Sequence, residues 1–239
     1  MADNLKAKRF IEAYNRLDQG AREIYNIKRS MSFSDMIRQT ASISPVIKKY
    51  KETLIDYARL RNAIVHNNSN DEIIAEPNED IVEKMESIAR LVTTPPRVID
   101  SIAARSVFSV TVDTKLSYIL SELYKSGYSV VPVYDKNNLV GVINRKMLLD
   151  AIGKCAMDQK SIDGFVSLPI SECLNILEVS SHYEVVPASI TIDNMLYLFQ
   201  QNRKLGVVVI TKNGNYNEEA VGVVVTSDTI EMQTILDKY

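Results

Sequence analysis

The sequence predicts an α+β protein in which an all-α bundle is followed by two copies of a β-α-β-β-α unit. Apolar residues return every three or four positions through the first ninety residues, which is the period of an amphipathic helix. After residue 96, short β-branched runs alternate with single helical patterns, and this order then recurs. The predicted divisions are a helical domain at 1–94 and repeats at 95–155 and 156–239.

The first three helices of the helical domain are predicted from their apolar spacing. The first helix is expected to end near Gly20, and the second to run through residues 24–31. Ser34 is interpreted as the N-cap of a short third helix, because serine side chains accept hydrogen bonds from free amides at helix starts.

Two longer helices complete the domain. One is predicted from Ser44-Pro45 to about His66, since proline is favoured at the first helical position. The other opens at Asn78 and ends before the prolines of "TTPP" at 93–96. Proline lacks an amide donor and disfavours helix in the preceding residue, so the domain boundary is placed there.

The two repeats are predicted element by element from matching runs. The first contains "SVTV", a helix over 114–126, "YSVVPVYD", "LVGVI" and a helix from Arg145. The second contains "YEVVPASITI", a helix over 193–202, "LGVVVIT", "AVGVVVT" and a helix from Ser227. Recurrence at this spacing indicates duplicated structural units. The second copy has the longer hairpin, "KNGNYNEEA".

These repeats resemble a tandem pair of CBS domains, known as a Bateman module. The family shows a "PVV" strand followed by G-x-x-T-x-x-D running into the last helix. The first copy has "GYSVVPVYD" from Gly127 and "LVGVI" from Leu139, and the second has "VGVVVTSD" ending at Asp228. The likeness covers about 97–236, and it implies a regulatory module that binds an adenine nucleotide between its copies.

The resemblance implies that Asp228 binds the ribose hydroxyls of that nucleotide. A carboxylate suits this role because it accepts two hydroxyl hydrogen bonds at once. The family's threonine position holds Val225, and Thr226 follows it. In the first copy Met147 occupies the aspartate position, and methionine cannot bind a diol. We therefore expect at most one adenosine site of the usual type.

Phosphate groups of such a ligand require cations or backbone amides nearby. Two candidate cations follow the strand "LVGVI" and two precede the strand "LGVVVIT". Four valines are expected either in the core or as walls of an adenine pocket. The cations are Arg145, Lys146, Arg203 and Lys204, and the valines are Val110, Val131, Val208 and Val223. AMP, ADP, ATP, S-adenosylmethionine and cyclic di-AMP all remain open as ligands, and no cofactor is expected to be required.

A second motif lies near the end of the fourth helix. Arg61 falls in line with an apolar stripe, although arginine is almost never fully buried unless it is paired. "RNAIVH", from Arg61 through Asn62 to His66, resembles the R-N-x-x-x-H signature of HEPN domains. That family implies a helical bundle over about 1–92 that dimerises and, in many members, cuts RNA without metal. Histidine would transfer protons, and arginine would stabilise charge on phosphorus.

Structural explanations of the same residues stay open. His66 is also suited to interact with the carbonyls at a helix end, and Arg61 to pair with Glu83 or Glu86. Asp228 also suits the first turn of a helix, where the helix dipole favours an acid. Three functions follow: a nucleotide sensor that controls the helical domain within a homodimer, a nucleotide-regulated ribonuclease, or a scaffold that binds nothing.

Composition limits the remaining classes of protein. The net charge is −2, which argues against bulk electrostatic binding of nucleic acid, although residues 1–61 hold 13 basic and 7 acidic residues. Cys155 and Cys173 are expected to be reduced core thiols, and two histidines make a conventional zinc site improbable. There is no long apolar run and no secretory signal, so we expect a cytoplasmic protein without membrane contact.

Overall fold

The computed structural model describes residues 5–66, 76–102, 107–177, 179 and 182–238, and of His66 only the backbone. The chain forms two compact units. The helical unit comprises Met1–Pro96, Thr191–Tyr197 and Thr234–Tyr239, and the repeat unit comprises Arg97–Ile190 and Leu198–Gln233. Helices and two separate three-stranded sheets are both present, so the predicted α+β class is confirmed.

Four helices form the helical unit's bundle: α1 (Leu5–Ile24), α2 (Phe33–Thr40), α3 (Pro45–His66) and α4 (Glu79–Thr93). The periodic apolar residues of these helices face one another. Fully buried side chains at the centre are Phe10, Leu17, Met36, Ile37, Ile47, Leu54, Met85 and Ile88. Arg9 on the exposed side of α1 donates to Glu86 of α4 at 3.0 Å through both Nε and Nη2, which fixes the register of the two helices.

The predicted break near Gly20 is wrong, because α1 continues through this residue to Ile24. A methyl group on residue 20 would lie 2.4 Å from Thr93 Cγ2. The glycine therefore allows α1 to approach α4 closely, and its role is packing rather than helix termination. No helix runs through residues 27–31, where the chain turns towards α2.

The predicted N-cap Ser34 is also wrong, because α2 is capped by Ser32. Ser32 has extended backbone angles, and its Oγ accepts a hydrogen bond from the amide of Asp35 at 3.2 Å. Ser34 lies inside the first turn. The predicted start of α3 at Pro45 is confirmed, with Ser44 Oγ accepting from the amide of Ile47 at 3.3 Å.

The first repeat follows a short helix, α5 (Val98–Ser101). Its elements are β1 (Val110–Thr111), α6 (Leu116–Ser126), β2 (Val130–Asp135), β3 (Asn138–Asn144) and α7 (Arg145–Met157). β2 is central, with β1 parallel on one side and β3 antiparallel on the other. All but the last residue of β2 are buried, as expected for a continuous apolar run.

Two helices that the sequence did not predict connect the repeats: α8 (Ile162–Val166) and α9 (Ile170–Leu177). The second repeat then contains β4 (Tyr183–Pro187), α10 (Ile192–Gln201), β5 (Val207–Thr211) and β6 (Ala220–Val225). A 3-10 turn at Thr226–Asp228 leads into α11 (Thr229–Lys238). Cys155 and Cys173 are buried free thiols in the core of the first repeat.

The two sheets have the same topology and corresponding registers. Val130 faces Asn144 across the antiparallel pair of the first repeat, and Val207 faces Val225 in the second. A shared apolar cluster joins the sheets: Val130, Tyr134, Leu139, Val142, Val207 and Val209. The two repeats therefore pack through their sheets, and this cluster lies between them.

The long hairpin between β5 and β6 also contacts the first repeat. The amide of Leu139 donates to the carbonyl of Tyr216 at 2.8 Å, and the Tyr134 hydroxyl donates to the carbonyl of Glu218 at 3.1 Å. The Glu218 carboxylate accepts from the backbone amide of Asn213 at 2.7 Å. The extra residues of this hairpin thus connect the two repeats.

Candidate ligand clefts between the repeats

Two clefts lie between the repeats, and each is built from both of them. The Asp228 cleft combines the end of β6 and Asp228 with residues 107–108 and the turn before β2, and has a volume of about 230 Å³. The Met147 cleft combines the end of β3 and the start of α7 with the start of β5, and has a volume of about 350 Å³. The larger volume falls within the range of small-molecule sites, and the smaller lies below it.

Asp228 is half-buried at the edge of its cleft. Its Oδ2 accepts a hydrogen bond from the backbone amide of Val225 at 2.9 Å, which caps the turn leading into α11. An ionised carboxylate can accept at more than one position, so the remaining acceptor capacity is available to a ligand. The structural alternative for Asp228 was an acid in the first turn of the last helix, and the residue lies in the 3-10 turn directly before α11. Its hydrogen bond to the Val225 amide holds the carboxylate in place beside the cleft.

Aromatic rings form part of the wall of the Asp228 cleft. Phe108 and Tyr128 are stacked, with ring centroids 5.9 Å apart and an interplanar angle of 7°. Val223 and Val225 also line the cleft. A flat apolar wall beside a carboxylate suits a ligand that has a planar base and a hydroxylated sugar.

The Met147 cleft has a different chemical character. Asn144 and Met147 occupy the positions that Val225 and Asp228 hold in the other repeat. Asn144 Oδ1 accepts from the amide of Met147 at 2.9 Å, so the side-chain amide of Asn144 keeps its donor hydrogens. Lys146 and Lys154 line the same cleft. The two clefts therefore offer opposite chemistry, an acceptor in one and donors in the other.

This arrangement of duplicated sheets and paired clefts has a counterpart among known families. Residues 99–154 match the family model of the CBS domain. The second repeat has the same strand order and an equivalent register around its central strand. The matched segment and the duplicated architecture together support a tandem CBS domain pair. The comparison with curated protein sequences gives no match.

Solved structures of CBS proteins are similar to part of the chain. A putative acetoin utilization protein (AcuB) from Vibrio cholerae is 15% identical over 59% of this chain and 93% of its own, with a TM-score of 0.44. The CBS domain of a bacterial CNNM/CorC family Mg²⁺ transporter, in complex with ATP, is 21% identical over 66% and 98%, with a TM-score of 0.43. A putative signal-transduction protein with CBS domains from Burkholderia ambifaria is 14% identical over 56% and 87%, with a TM-score of 0.41.

Two residues predicted to contact nucleotide, Arg145 and Thr226, lie within hydrogen-bond distance of backbone carbonyls of their own repeats. Arg145 donates to the carbonyl of Tyr128 through Nε at 3.0 Å and to that of Leu123 through Nη2 at 2.9 Å. It therefore caps the end of α6. The Thr226 hydroxyl lies 3.4 Å from the carbonyl oxygen of Leu205, which is the equivalent contact in the second repeat.

The other predicted contacts are distributed differently from the sequence-based expectation. Lys146 lies in the Met147 cleft rather than beside Asp228. Each cleft combines the last strand of one repeat with the start of the central strand of the other repeat. Arg203 and Lys204 are exposed in the turn before β5. Val110 is 7% exposed and belongs to the core of the first repeat, and it is not among the residues that line either cleft.

Phe108 and Tyr128 were missed by the sequence-based reasoning. Tyr128 belongs to the motif that indicated the family. The sequence of one repeat does not show that the residues before its first two strands line the same cleft as the carboxylate of the other repeat. The available signal was an aromatic residue two positions before each of two adjacent strands.

The arginine motif lies at the C-terminal end of α3 in the helical unit. The Arg61 guanidinium lies over the Tyr14 ring, with 5.9 Å from Cζ to the centroid, and its Nη1 is 3.4 Å from Asn62 Oδ1. The pairing of Arg61 with Glu86 is not found, since Glu86 accepts from Arg9. The side chain of His66 lies outside the described residues.

Tyr14 shows the electrostatic effect of this environment. Burial raises the pKa of the Tyr14 hydroxyl well above its ordinary value, Asp18 raises it further, and the Arg61 cation opposes both. Arg61 Nε is buried and has no hydrogen-bond partner within the described part of the chain. An arginine on an apolar stripe is thus accommodated by an aromatic ring.

The described residues contain no cluster of three or more histidine, cysteine or acidic side chains placed to hold a metal ion. None of their helices combines the length and apolar character needed to cross a bilayer.

Proposed function

We propose that this chain is a regulatory sensor whose CBS pair binds an adenine nucleotide in the Asp228 cleft. The observation that carries the proposal is the half-buried Asp228 carboxylate beside the stacked rings of Phe108 and Tyr128. The carboxylate accepts hydrogen bonds from the ribose hydroxyls, and the two aromatic rings and the valines contact the base. Met147 replaces the acid in the other cleft, so one adenosine binds per chain.

The proposal extends to control of the helical unit through α11. This helix begins directly after Asp228, and its residues from Thr234 belong to the helical unit. Leu236 packs against the core of the α1–α4 bundle. A ligand that changes the position of the Asp228 turn therefore acts on a helix whose far end is anchored in that bundle.

Calorimetry and thermal denaturation with a ligand panel test the proposal. AMP, ADP, ATP, S-adenosylmethionine and cyclic di-AMP are each added to the full chain, because a ligand selective for the folded state raises its stability. Asp228→Asn keeps an oxygen to accept from Val225 but loses the charge. This variant should lower the affinity for whichever ligand binds by roughly 10- to 150-fold, corresponding to about 1.5 to 3 kcal/mol.

The matched control is Asp150→Asn, which removes an exposed carboxylate from the other cleft and should leave that affinity unchanged. Equal affinity in the Asp228→Asn protein would exclude Asp228 from the site. Absence of binding by every member of the panel would support the scaffold alternative.

A second candidate function is metal-independent cleavage of RNA by a homodimer. The Arg61 guanidinium favours it, because it lies beside Asn62 and makes no ion pair among the described residues. Arg61 would stabilise charge on phosphorus, and His66 would transfer protons to and from an internal 2′-hydroxyl. A composite site across two chains would bring these groups together.

Single-stranded RNA cleavage in the presence of EDTA tests this function. His66→Ala should reduce the rate by about a hundredfold or more while leaving the melting temperature nearly unchanged. Sedimentation at micromolar concentration should show a species heavier than the 26.9 kDa chain. A rate that survives His66→Ala would identify a contaminating nuclease, and a purely monomeric chain would contradict the composite site.

A further inference from the structure

Arg61 differs from the nearby Arg59 on α3 in the kind of group that holds it. Arg59 pairs with the carboxylate of Asp56 at 2.9 Å. Within the described part of the chain, no carboxylate lies at ion-pair distance from Arg61. Its guanidinium instead lies over the face of the Tyr14 ring, with 5.9 Å from Cζ to the ring centroid. At this distance the face of an aromatic ring attracts a cation, so α1 holds Arg61 through an aromatic ring.

The Tyr14 ring is itself fixed within the helical bundle. It is 7% exposed and belongs to the core cluster of α1–α4. Phe33 at the start of α2 packs against it, with the two ring centroids 4.3 Å apart. Side chains in a close-packed core stay near one rotamer. The ring therefore offers the long and flexible arginine side chain a fixed surface.

The ring holds the cation without neutralising it. An aromatic face attracts a cation through its quadrupole, and it carries no net charge. Asp18, which raises the pKa of the Tyr14 hydroxyl, already accepts a hydrogen bond from Arg22 Nε at 2.9 Å. The positive charge of Arg61 is therefore left for an anion from outside the bundle.

The orientation of the guanidinium shows which end such an anion can reach. Arg61 Nε is buried and has no hydrogen-bond partner among the described residues, although the residue as a whole is half-buried. Nη1 lies 3.4 Å from Oδ1 of the exposed Asn62. The Nη end is thus the accessible one, and a guanidinium can donate to two oxygens of one phosphate group.

From these contacts we infer that Tyr14, which lies outside the R-N-x-x-x-H motif, is the positioning residue of Arg61 and holds its guanidinium for a phosphodiester of single-stranded RNA. The inference rests on the second candidate function, cleavage of RNA, and adds to it a residue from a different helix. Tyr14 acts through Arg61 alone. Because a displacement of about 1 Å can cost about a hundredfold in rate, loss of the ring should reduce catalysis.

Steady-state cleavage of single-stranded RNA by the full chain tests this role. Tyr14→Leu should lower kcat by about tenfold or more. KM should change little, because Arg61 acts on the charge that develops at phosphorus in the transition state. Tyr14→Phe keeps the ring and removes only the hydroxyl, so it should retain the kcat of the wild type.

Tyr57→Leu is the matched control for loss of a buried ring. Tyr57 is 9% exposed, and it packs edge-to-face against Phe10 with ring centroids 5.6 Å apart. Within the described residues, no arginine lies over its ring. The variant should lose stability as Tyr14→Leu does, but its kcat should stay that of the wild type at a temperature where circular dichroism shows all the proteins folded.

The Nε–H resonance of Arg61 in ¹H–¹⁵N spectra reports the same contact without catalysis. A proton held close to an aromatic face resonates upfield, and Arg61→Lys assigns the signal by removing it. The signal should stay in place in Tyr14→Phe and move to the region of exposed arginines in Tyr14→Leu. Nuclear Overhauser contacts between this proton and the Tyr14 ring of the wild type answer the question even where Tyr14→Leu fails to fold.

Three results would overturn the inference: wild-type kcat in a folded Tyr14→Leu protein, an equal loss of kcat in Tyr14→Phe or Tyr57→Leu, or an Arg61 signal without contact to the Tyr14 ring. A wild-type protein that cleaves no RNA would overturn the ribonuclease function and, with it, the role of Tyr14 in catalysis. The Arg61 signal would then show separately whether the ring holds the guanidinium.

Discussion

At the scale of single residues, the two repeats carry different side chains at equivalent positions beside the two clefts. Asp228 and Met147 occupy equivalent sites, and so do Val225 and Asn144. Spacing within one repeat was enough to find Asp228. It was not enough to find Phe108 and Tyr128, because they reach the carboxylate only when the two sheets pack together.

Arg145 illustrates the same limit. Its place at the start of α7 is predictable, but its hydrogen bonds to the carbonyls of Leu123 and Tyr128 span about twenty residues of chain. A cation that looks suited to phosphate is thus held at the end of α6, where the helix dipole also favours it.

This geometry predicts the outcome of Arg145→Met, which keeps much of the aliphatic stem. The variant should lose about 1 kcal/mol in free energy of unfolding, since it removes hydrogen bonds from an exposed side chain to helix-end carbonyls. Its affinity for adenosine should remain that of the wild type. Urea denaturation and calorimetry on the same sample measure both, and a large loss of affinity would return Arg145 to the ligand site.

At the scale of elements, the long helices and the strands were predictable from the spacing of apolar residues. The residues at which helices end depended on tertiary contacts. Gly20 looked like a helix end, because glycine is a poor helix former. In the fold it lies where α1 meets Thr93 of α4, and packing outweighs the intrinsic preference. The helices α8 and α9 were missed because they are only five and eight residues long.

The β5–β6 hairpin is an element with a clear pH dependence. The amide of Asn213 and the side chains of Asn213, Asn215 and Thr211 lower the pKa of the Glu218 carboxyl from 4.5 to about 2. A lowered pKa means that the folded state favours the ionised form. Glu218 therefore stabilises the fold above pH 4.5, and this stabilisation is lost as the pH falls towards 2.

The variant Glu218→Gln should accordingly melt below the wild type at neutral pH, and the gap should close between about pH 4.5 and pH 2. Glu219→Gln, which alters the exposed neighbouring carboxylate, serves as the control. Melting temperatures of the three proteins across this range provide the measurement. A gap that stays constant with pH would show that ionisation of Glu218 does not contribute.

At the scale of the whole molecule, the sequence repeat and the compact units divide the chain differently. Residues 191–197 and 234–239 lie within the second repeat in sequence but belong to the helical unit. Sequence periodicity cannot reveal this, because the reason is tertiary: Leu236 packs against the core of the helical bundle. The proposed sensor depends on this arrangement, since α11 connects the Asp228 turn to that bundle.

The central claim is that one carboxylate at an equivalent position decides which cleft binds adenosine, and moving that carboxylate tests it most directly. Calorimetric stoichiometry of adenosine should be one per chain for the wild type and two for Met147→Asp, which places an acid at the third residue of α7, where the helix dipole favours it. The double variant Asp228→Asn/Met147→Asp should again bind one. Unchanged stoichiometry and affinity in all three proteins would contradict the account.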